Sequence, residues 1–184
     1  PTTQLIDMTT SAARMNVGAE LLEQAEQAKR AGHHITAALK QKEGIDELMG
    51  FNRTMAMMSV AFDALPDEIA ENMGKVAKNF KIPIKQISSL ADTINYLDDN
   101  AISKGGDIIN VLNRVSGVIS SVKMSAQDAA ALASTLLTLG ERTETAGTAI
   151  NAITQKFAAA EKGTKKFKEA VKETQKKDSI KSEV

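Results

Sequence analysis

The sequence predicts an all-α protein, a multi-helix bundle or set of stacked helical hairpins with about six to eight helices and no sheet. Three observations lead there. Apolar residues recur at i, i+3, i+4 and i+7 through most of the 184 residues. Pro66, Pro83, Gly32, Gly105, Gly106 and Gly140 fall at the ends of those periodic runs, not inside them. Only Val115 to Met124, rich in Val and Ser, carries strand propensity, and a lone strand has nothing to pair with.

Taken in order, Ser11 is placed to cap a first helix carrying Met15, Leu22 and Ala25, with Gly32 as its stop. Ile35 to Lys42 reads as a short helix at best. Ile45, Leu48, Met49, Met55, Ser59 and Phe62 form the stripe of a longer helix interrupted by Gly50. Pro66 opens the next, where a first-turn proline is tolerated, and Asp67 and Glu68 follow at the positive end of the helix dipole. Its apolar face is Ile69, Met73, Val76, Ala77 and Phe80. Lys81-Ile82-Pro83 forces a break, because a residue before proline avoids the helical region. From Pro83 a further helix carries Ile84, Ile87, Ala91, Ile94 and Leu97.

Asp99-Asn100 and Ser103-Lys104-Gly105-Gly106 read as a loop. A helix with Ile108, Leu112, Val115, Ile119 and Val122 follows. Ser125 and Asp128 have the spacing of a capping box before Ala129, Leu132, Leu136 and Leu137, and Gly140 supplies the stop. Ala146, Ile150, Ile153 and Phe157 continue into one more helix. Three junctions share a form: Phe62-Asp63-Ala64-Leu65-Pro66, Phe80-Lys81-Ile82-Pro83-Ile84 and Val122-Lys123-Met124-Ser125-Ala126. The period is too loose for a solenoid, and reused helix stop-and-start chemistry is the simpler account of the echo.

Lysines and arginines number 23 and acids 23, so formal net charge is zero. Such a chain has no global field to draw in nucleic acid or an anionic membrane. The neutrality is uneven: residues 161–184 carry eight lysines against five acids, and residues 1–160 carry the opposing excess of acids. The expected organisation is therefore a helical segment over 1–160, with a sub-boundary near 81–83, and a lysine-rich, weakly helical or frayed tail over 161–184. Cysteine and tryptophan are absent and aromatic residues make up 3%. That removes disulfide scaffolds, thiolate metal sites and cysteine nucleophiles, and leaves an aliphatic core. No stretch approaches the apolar length of a membrane span. Because the first residue is Pro1, the expectation is an excised piece of something longer.

Candidate chemistry is thin. His33 and His34 are adjacent, so on a helix they point about 100° apart and do not share a metal as an i, i+4 pair does. Ser120-Ser121-Val122-Lys123 has the Ser-x-x-Lys spacing of some acyl-transfer enzymes but lacks the companion motifs. Ser103 to Asp107 leads into a helix, a position suited to an anion, but the phosphate-loop ending is missing, as it is at Gly163-Thr164-Lys165, and both segments read as turns. Met55, Met57 and Met58 cluster on one helix, as core filler or as an adaptable binding face. The lysines of 161–184 have one ring among them, Phe167, and are mixed with acids, which is a poor platform for base stacking. No catalytic, cofactor-binding or metal-ligating residue is predicted, and the residues alone lead to a helical interaction protein without enzymatic activity.

One resemblance extends this reading. Met55 to Pro66, Glu71-Asn72-Met73-Gly74-Lys75-Val76, Leu90-Ala91-Asp92-Thr93-Ile94-Asn95-Tyr96-Leu97-Asp98-Asp99-Asn100, Lys104 to Ile108, Ser125 to Leu132 and Ala146 to Asn151 resemble the core region of bacteriophage tail tape measure proteins. The wording is nearest to contractile-tailed temperate phages and related prophages, and it covers roughly residues 10 to 160. The run from Leu90 to Leu97 is its most specific part; the lysine-rich end departs from the family. The resemblance implies a virion structural protein that templates tail tube assembly, sets tail length and leaves the tail as DNA is ejected. It implies tail tube protein and tail assembly chaperones as partners, self-association, a place in the tail tube lumen and in the host cytoplasm during assembly, and no cofactor. Contact with the host envelope belongs to the full-length protein. The competing expectation is a cytoplasmic helical adaptor that binds through its Met-rich helix; a hydrolase using Ser120 and Lys123 is the weakest reading.

Overall fold

The computed structural model describes residues 2–115 and 117–160 together with Glu169, Lys172 and Glu173. Among the described residues there are eight α-helices and no strand: α1 (Thr2–Arg14), α2 (Ala19–Arg30), α3 (His34–Ala61), α4 (Pro66–Phe80), α5 (Ile87–Asn100), α6 (Gly105–Arg114), α7 (Ala126–Thr138) and α8 (Thr143–Ala160). Short 3-10 turns precede α5 at Ile84–Gln86 and link α6 to α7 at Gly117–Val122. The all-α bundle expected from the periodicity is the fold observed.

α4 and α6 form the middle of the bundle. α4 packs on α1, α3 and α6, and α6 packs on α4, α5, α7 and α8. The reason lies in their sequences. Ile108, Ile109, Val111 and Leu112 share one broad apolar arc of about 160° on α6 and are all buried, while Asp107, Asn110 and Arg114 face solvent. α4 buries Ile69, Ala70, Met73, Val76 and Ala77. α7 presents the small side chains Ala126, Ala129, Ala130 and Ala133 to its neighbours, which lets the helices approach closely. One cluster of buried residues runs from Ala12 to Ile150 with Phe51, Met55, Leu90 and Ile94 among its largest members.

α2 stands apart. Its main helix partner is α3, and of its residues only Ala25 is buried. In the facing half of α3 only Ala37 and Gly44 are buried. α2 and the first half of α3 therefore make an antiparallel arm on the side of the bundle.

Several boundaries differ from the sequence expectation. The helix expected from Ser11 to Gly32 is two helices, and Ser11 lies inside α1. The break falls at Met15–Gly18, where Gly18 has φ +73° and a Cβ placed on it would sit 2.5 Å from the Gly44 carbonyl oxygen. Close approach of two backbones demands glycine there. Conversely, the short helix at Ile35–Lys42 and the helix interrupted at Gly50 are one 28-residue α3. Glycine in a helix costs only about 1 kcal/mol, and tertiary packing overrides it. Asp99, Asn100, Gly105 and Gly106 are helical, so the loop shrinks to Ala101–Lys104. The helix expected from Ile108 through Val122 stops at Arg114; Val115 is extended, and a 3-10 turn still delivers Ile119 to the core. The Arg114 carbonyl is met by Asn151 Nδ2 at 2.8 Å, so α8 supplies the end of α6.

The junction echo has a structural cause. Asp63, Lys81 and Lys123, the second residue in each of the three copies, all adopt left-handed backbone, with φ of 48°, 55° and 56°. At α4 the Ile82 N–H donates to Ala77 O (2.8 Å) and the Lys81 N–H to Lys78 O (3.3 Å), the double closure of a Schellman end. α1 closes in the same way through Asn16, α2 through Gly32 and α7 through Gly140. The similarity is reused helix-stop chemistry. At the other end of α7, the Asp128 N–H donates to Ser125 Oγ at 3.0 Å, as the capping spacing predicts.

Candidate functional site

The residues singled out from sequence are not brought together. His33 is the residue before α3 and His34 its first; both are exposed. The His33 backbone N–H donates to Ala28 O (2.9 Å), closing α2. No group of three or more His, Asp or Glu side chains able to hold a metal occurs among the described residues. Ser120 lies in the 3-10 turn Gly117–Val122, and the exposed Lys123 is the left-handed residue that ends it. Gly163-Thr164-Lys165 and the lysine-rich segment fall outside the described residues, save Lys172 with Glu169 and Glu173.

The anion seat before α6 is taken by the chain itself. Asp98 Oδ1 accepts from the Gly105 N–H at 2.6 Å, so a carboxylate from the end of α5 already occupies the positive end of α6. Ser103 is buried and its hydroxyl pairs with Ser134 Oγ at 2.7 Å, tying the turn to α7. A Cβ on Gly105 would lie 2.3 Å from Phe62 Cε1, so the ring fills the remaining space. The expected turn is a packed joint between α3, α5, α6 and α7.

The methionine cluster divides. Met55 and Met58 are buried core residues, while Met57 is 65% exposed. Of the stripe expected on this helix, Met55 and Ser59 face inward, but Ile45 and Met49 face out. Likewise on α8, Ala146, Ile150 and Thr154 are buried and Phe157 is 54% exposed. α3 is thus apolar on two sides. Phe51, Met55 and Met58 enter the core, and Ile35, Leu39, Ile45, Met49, Met57 and Val60 line the opposite, solvent side. At 100° per residue those six fall within an arc of about 120° and extend over about 38 Å. Sequence reasoning missed this second face because it divided α3 at Lys42 and Gly50. A single helical wheel over 34–61 separates the two sets.

The electrostatics are those of helix surfaces. Asp46 accepts from Lys42 Nζ at 2.6 Å, and this bond raises the Lys42 pKa. Lys75 beside Glu71 lowers the Glu71 carboxyl below the usual carboxylate range. Glu144 is lowered first by its own backbone N–H at the start of α8 and then by Arg114, whose Nη2 lies 2.9 Å away. Among the described residues no helix is long and apolar enough to cross a membrane. Among the described residues the arrangement offers helix surfaces and brings no set of reactive groups together.

Residues 25–182 match the model of a family described as phage-related minor tail protein. Over 110 residues the chain is 30% identical to a probable tape measure protein of Halomonas phage phiHAP-1. The aligned part is 60% of this chain and spans 13% of that relative's length. No solved structure matches the chain.

Proposed function

Because the chain belongs to the phage-related minor tail protein family, we propose that it is a structural segment of a tail tape measure protein. In this reading it templates assembly of the tail tube, contributes to tail length and leaves the tail during DNA ejection. Its partners are tail tube protein and tail assembly chaperones, met first in the host cytoplasm and then in the tube lumen. It acts as a scaffold and not as an enzyme. The observation that carries the reading is the match to a probable tape measure protein of a phage. The aliphatic all-α fold supports it, because tight helices joined by short turns suit a part that packs, opens and repacks.

A ruler and a bundle make different demands. Fully helical and in line, 184 residues would extend about 280 Å. Folded as one compact body, a chain of this length has a radius of gyration of about 16 Å. The free segment is compact, and confinement in a tube opens it along its helix joints. In-frame deletion of this segment from its phage gene, with tails measured by electron microscopy, tests the proposal. Tails shortened by about 280 Å support an extended ruler; a smaller shortening supports a segment that stays folded in the tube. An in-frame duplication lengthening the tail guards against a deletion that merely blocks assembly. Tails of unaltered length in both variants overturn the reading.

A further inference from the structure

We infer that the lysine-rich segment 161–184 folds back within its own chain and docks on the end of the bundle where α3 meets α4 and α5 meets α6. The inference rests on exposed apolar surface and the layout of charge, and holds whether or not the chain is a tape measure segment. The two joints lie side by side, because the Phe62 ring packs against Gly105 and Asp98 accepts from the Gly105 N–H. At the other end of the same helices Asn79 Nδ2 reaches the Val115 carbonyl at 3.5 Å, so α4 and α6 start together and finish together. Leu65 in one joint is 56% exposed and Ile102 in the other 78%; Val60, two residues before Phe62, is 84% exposed. Exposed apolar side chains gathered around one contact differ from the scattered single ones of an ordinary surface.

Charge identifies the occupant. The two joints and the helix ends beside them carry Asp63, Asp67, Glu68, Asp98, Asp99 and Asp107 against one cation, Lys104. None of the six is in an ion pair among the described residues. The rest of residues 1–160 holds fourteen cations against twelve acids, so the whole acidic excess of the body sits at this end. Asp67, Glu68 and Asp107 are matched by the positive starts of α4 and α6, and Asp98 by the Gly105 N–H. Asp63 and Asp99 have no such match. They stand at the negative ends of α3 and α5, and neither helix has a basic residue in its last turn.

Residues 161–184 supply the missing cations and an apolar contact together. Their eight lysines against five acids offset the acidic excess of the body. At 100° per residue, Phe167 and Val171 fall on the side opposite Glu169, Lys172 and Glu173, and those three are helical and exposed. Lys166 and Lys168 flank Phe167. Docked by that side, Phe167 and Val171 cover Leu65 and Ile102, and the flanking lysines reach Asp63 and Asp99. The 24 residues after Ala160 extend up to about 80 Å, and a body of 160 residues is about 40 Å across, so the segment reaches this end from any side. Each exposed ion pair is weak, so docking is reversible and salt-sensitive, sustained by the high effective concentration of a tethered segment. The docked segment bridges the two joints and holds them shut.

The test uses the whole 184-residue chain with two introduced thiols, since it has no cysteine of its own. Ile102→Cys with Val171→Cys is compared with Ile35→Cys with Val171→Cys. Ile35 is as exposed as Ile102 but lies near the start of α3, about 40 Å along the helix from Phe62. At low salt a short bifunctional thiol reagent is expected to join the first pair at least about tenfold faster than the second, within one chain and independently of dilution. That advantage is largely lost in about 0.5 M salt, where the screening length falls to about 4 Å. It also falls at least about threefold when Asp63→Asn and Asp99→Asn are introduced together. Asparagine tolerates the left-handed backbone at 63 and keeps an acceptor for Asn95 at 99, and circular dichroism checks that the helices remain. Equal rates for the two pairs overturn the proposal. A fast first pair that ignores both salt and the asparagines overturns it too. So does linking that occurs only between chains and fades on dilution, which would put the segment of another copy on this end.

Discussion

Gly105 shows how much can rest on the absence of one methyl group. Its N–H holds Asp98, and Phe62 fills the space where its side chain would be. Alanine there forces the ring or the helix to move, and overpacking of this kind costs about 1–3 kcal/mol. Urea denaturation of Gly105→Ala is expected to show a loss in that range. Phe62→Leu in the same chain should recover part of it, because the clash is with the ring; a full additive loss would point to backbone conformation instead. The Ser103–Ser134 hydroxyl pair is of the opposite kind. Each hydroxyl satisfies the other away from water, so removing one leaves its mate buried and unpaired.

Among the helices, the joints decide the architecture. Lys81 holds φ 55° to close α4, a conformation that costs an L-residue about 1–2 kcal/mol. Part of that cost is returned to the unfolded chain when glycine replaces it, so Lys81→Gly is expected to raise stability by up to about 1 kcal/mol in thermal or denaturant unfolding. Gly18→Ala should do the reverse, and more strongly, since it adds a collision with the Gly44 carbonyl. These joints also explain what could be read in advance. Pro66, the Ser125–Asp128 cap and Gly140 act on their nearest neighbours, and all three mark observed helix ends. The break at Gly18 answers to Gly44, 26 positions along the chain, and no local pattern announces it. The stop at Arg114 depends likewise on Asn151 from another helix. For the candidate surface the obstacle was different: Ile45 and Met49 are as apolar as Met55, and only the packing of α3 says which side faces water.

At the level of the whole molecule, stability is unevenly distributed. The buried side chains concentrate on α4, α5, α6 and α7, while the α2–α3 arm contributes Ala25, Ala37 and Gly44. Regions with few buried apolar contacts open at lower free energy than the core. Native-state hydrogen exchange is expected to rank the amides accordingly, with α2 and residues 34–43 exchanging by local opening and α6 only by global unfolding. Equal protection across arm and body would contradict that ranking. Acid should also erode the structure gently. Glu71 and Glu144 are depressed in the folded state, so what they contribute is present at neutral pH and fades as pH falls through their folded pKa values. Both are exposed, so the effect is screened and small.

The helix-to-helix connections bear on how such a chain survives in a cell. No described connection between helical segments is longer than four residues, and most are closed by backbone hydrogen bonds on a left-handed residue. A protease needs an extended stretch of substrate, and exposed loop tips are its usual entry points. In residues 2–115 and 117–160 the tips are exposed, as at residues 31–33 and 139–142, but each is only three or four residues long and is held by helix on both sides. Cleavage there must wait for a helix to unwind, so the lifetime of the folded body is set by how often it opens and not by what its surface displays.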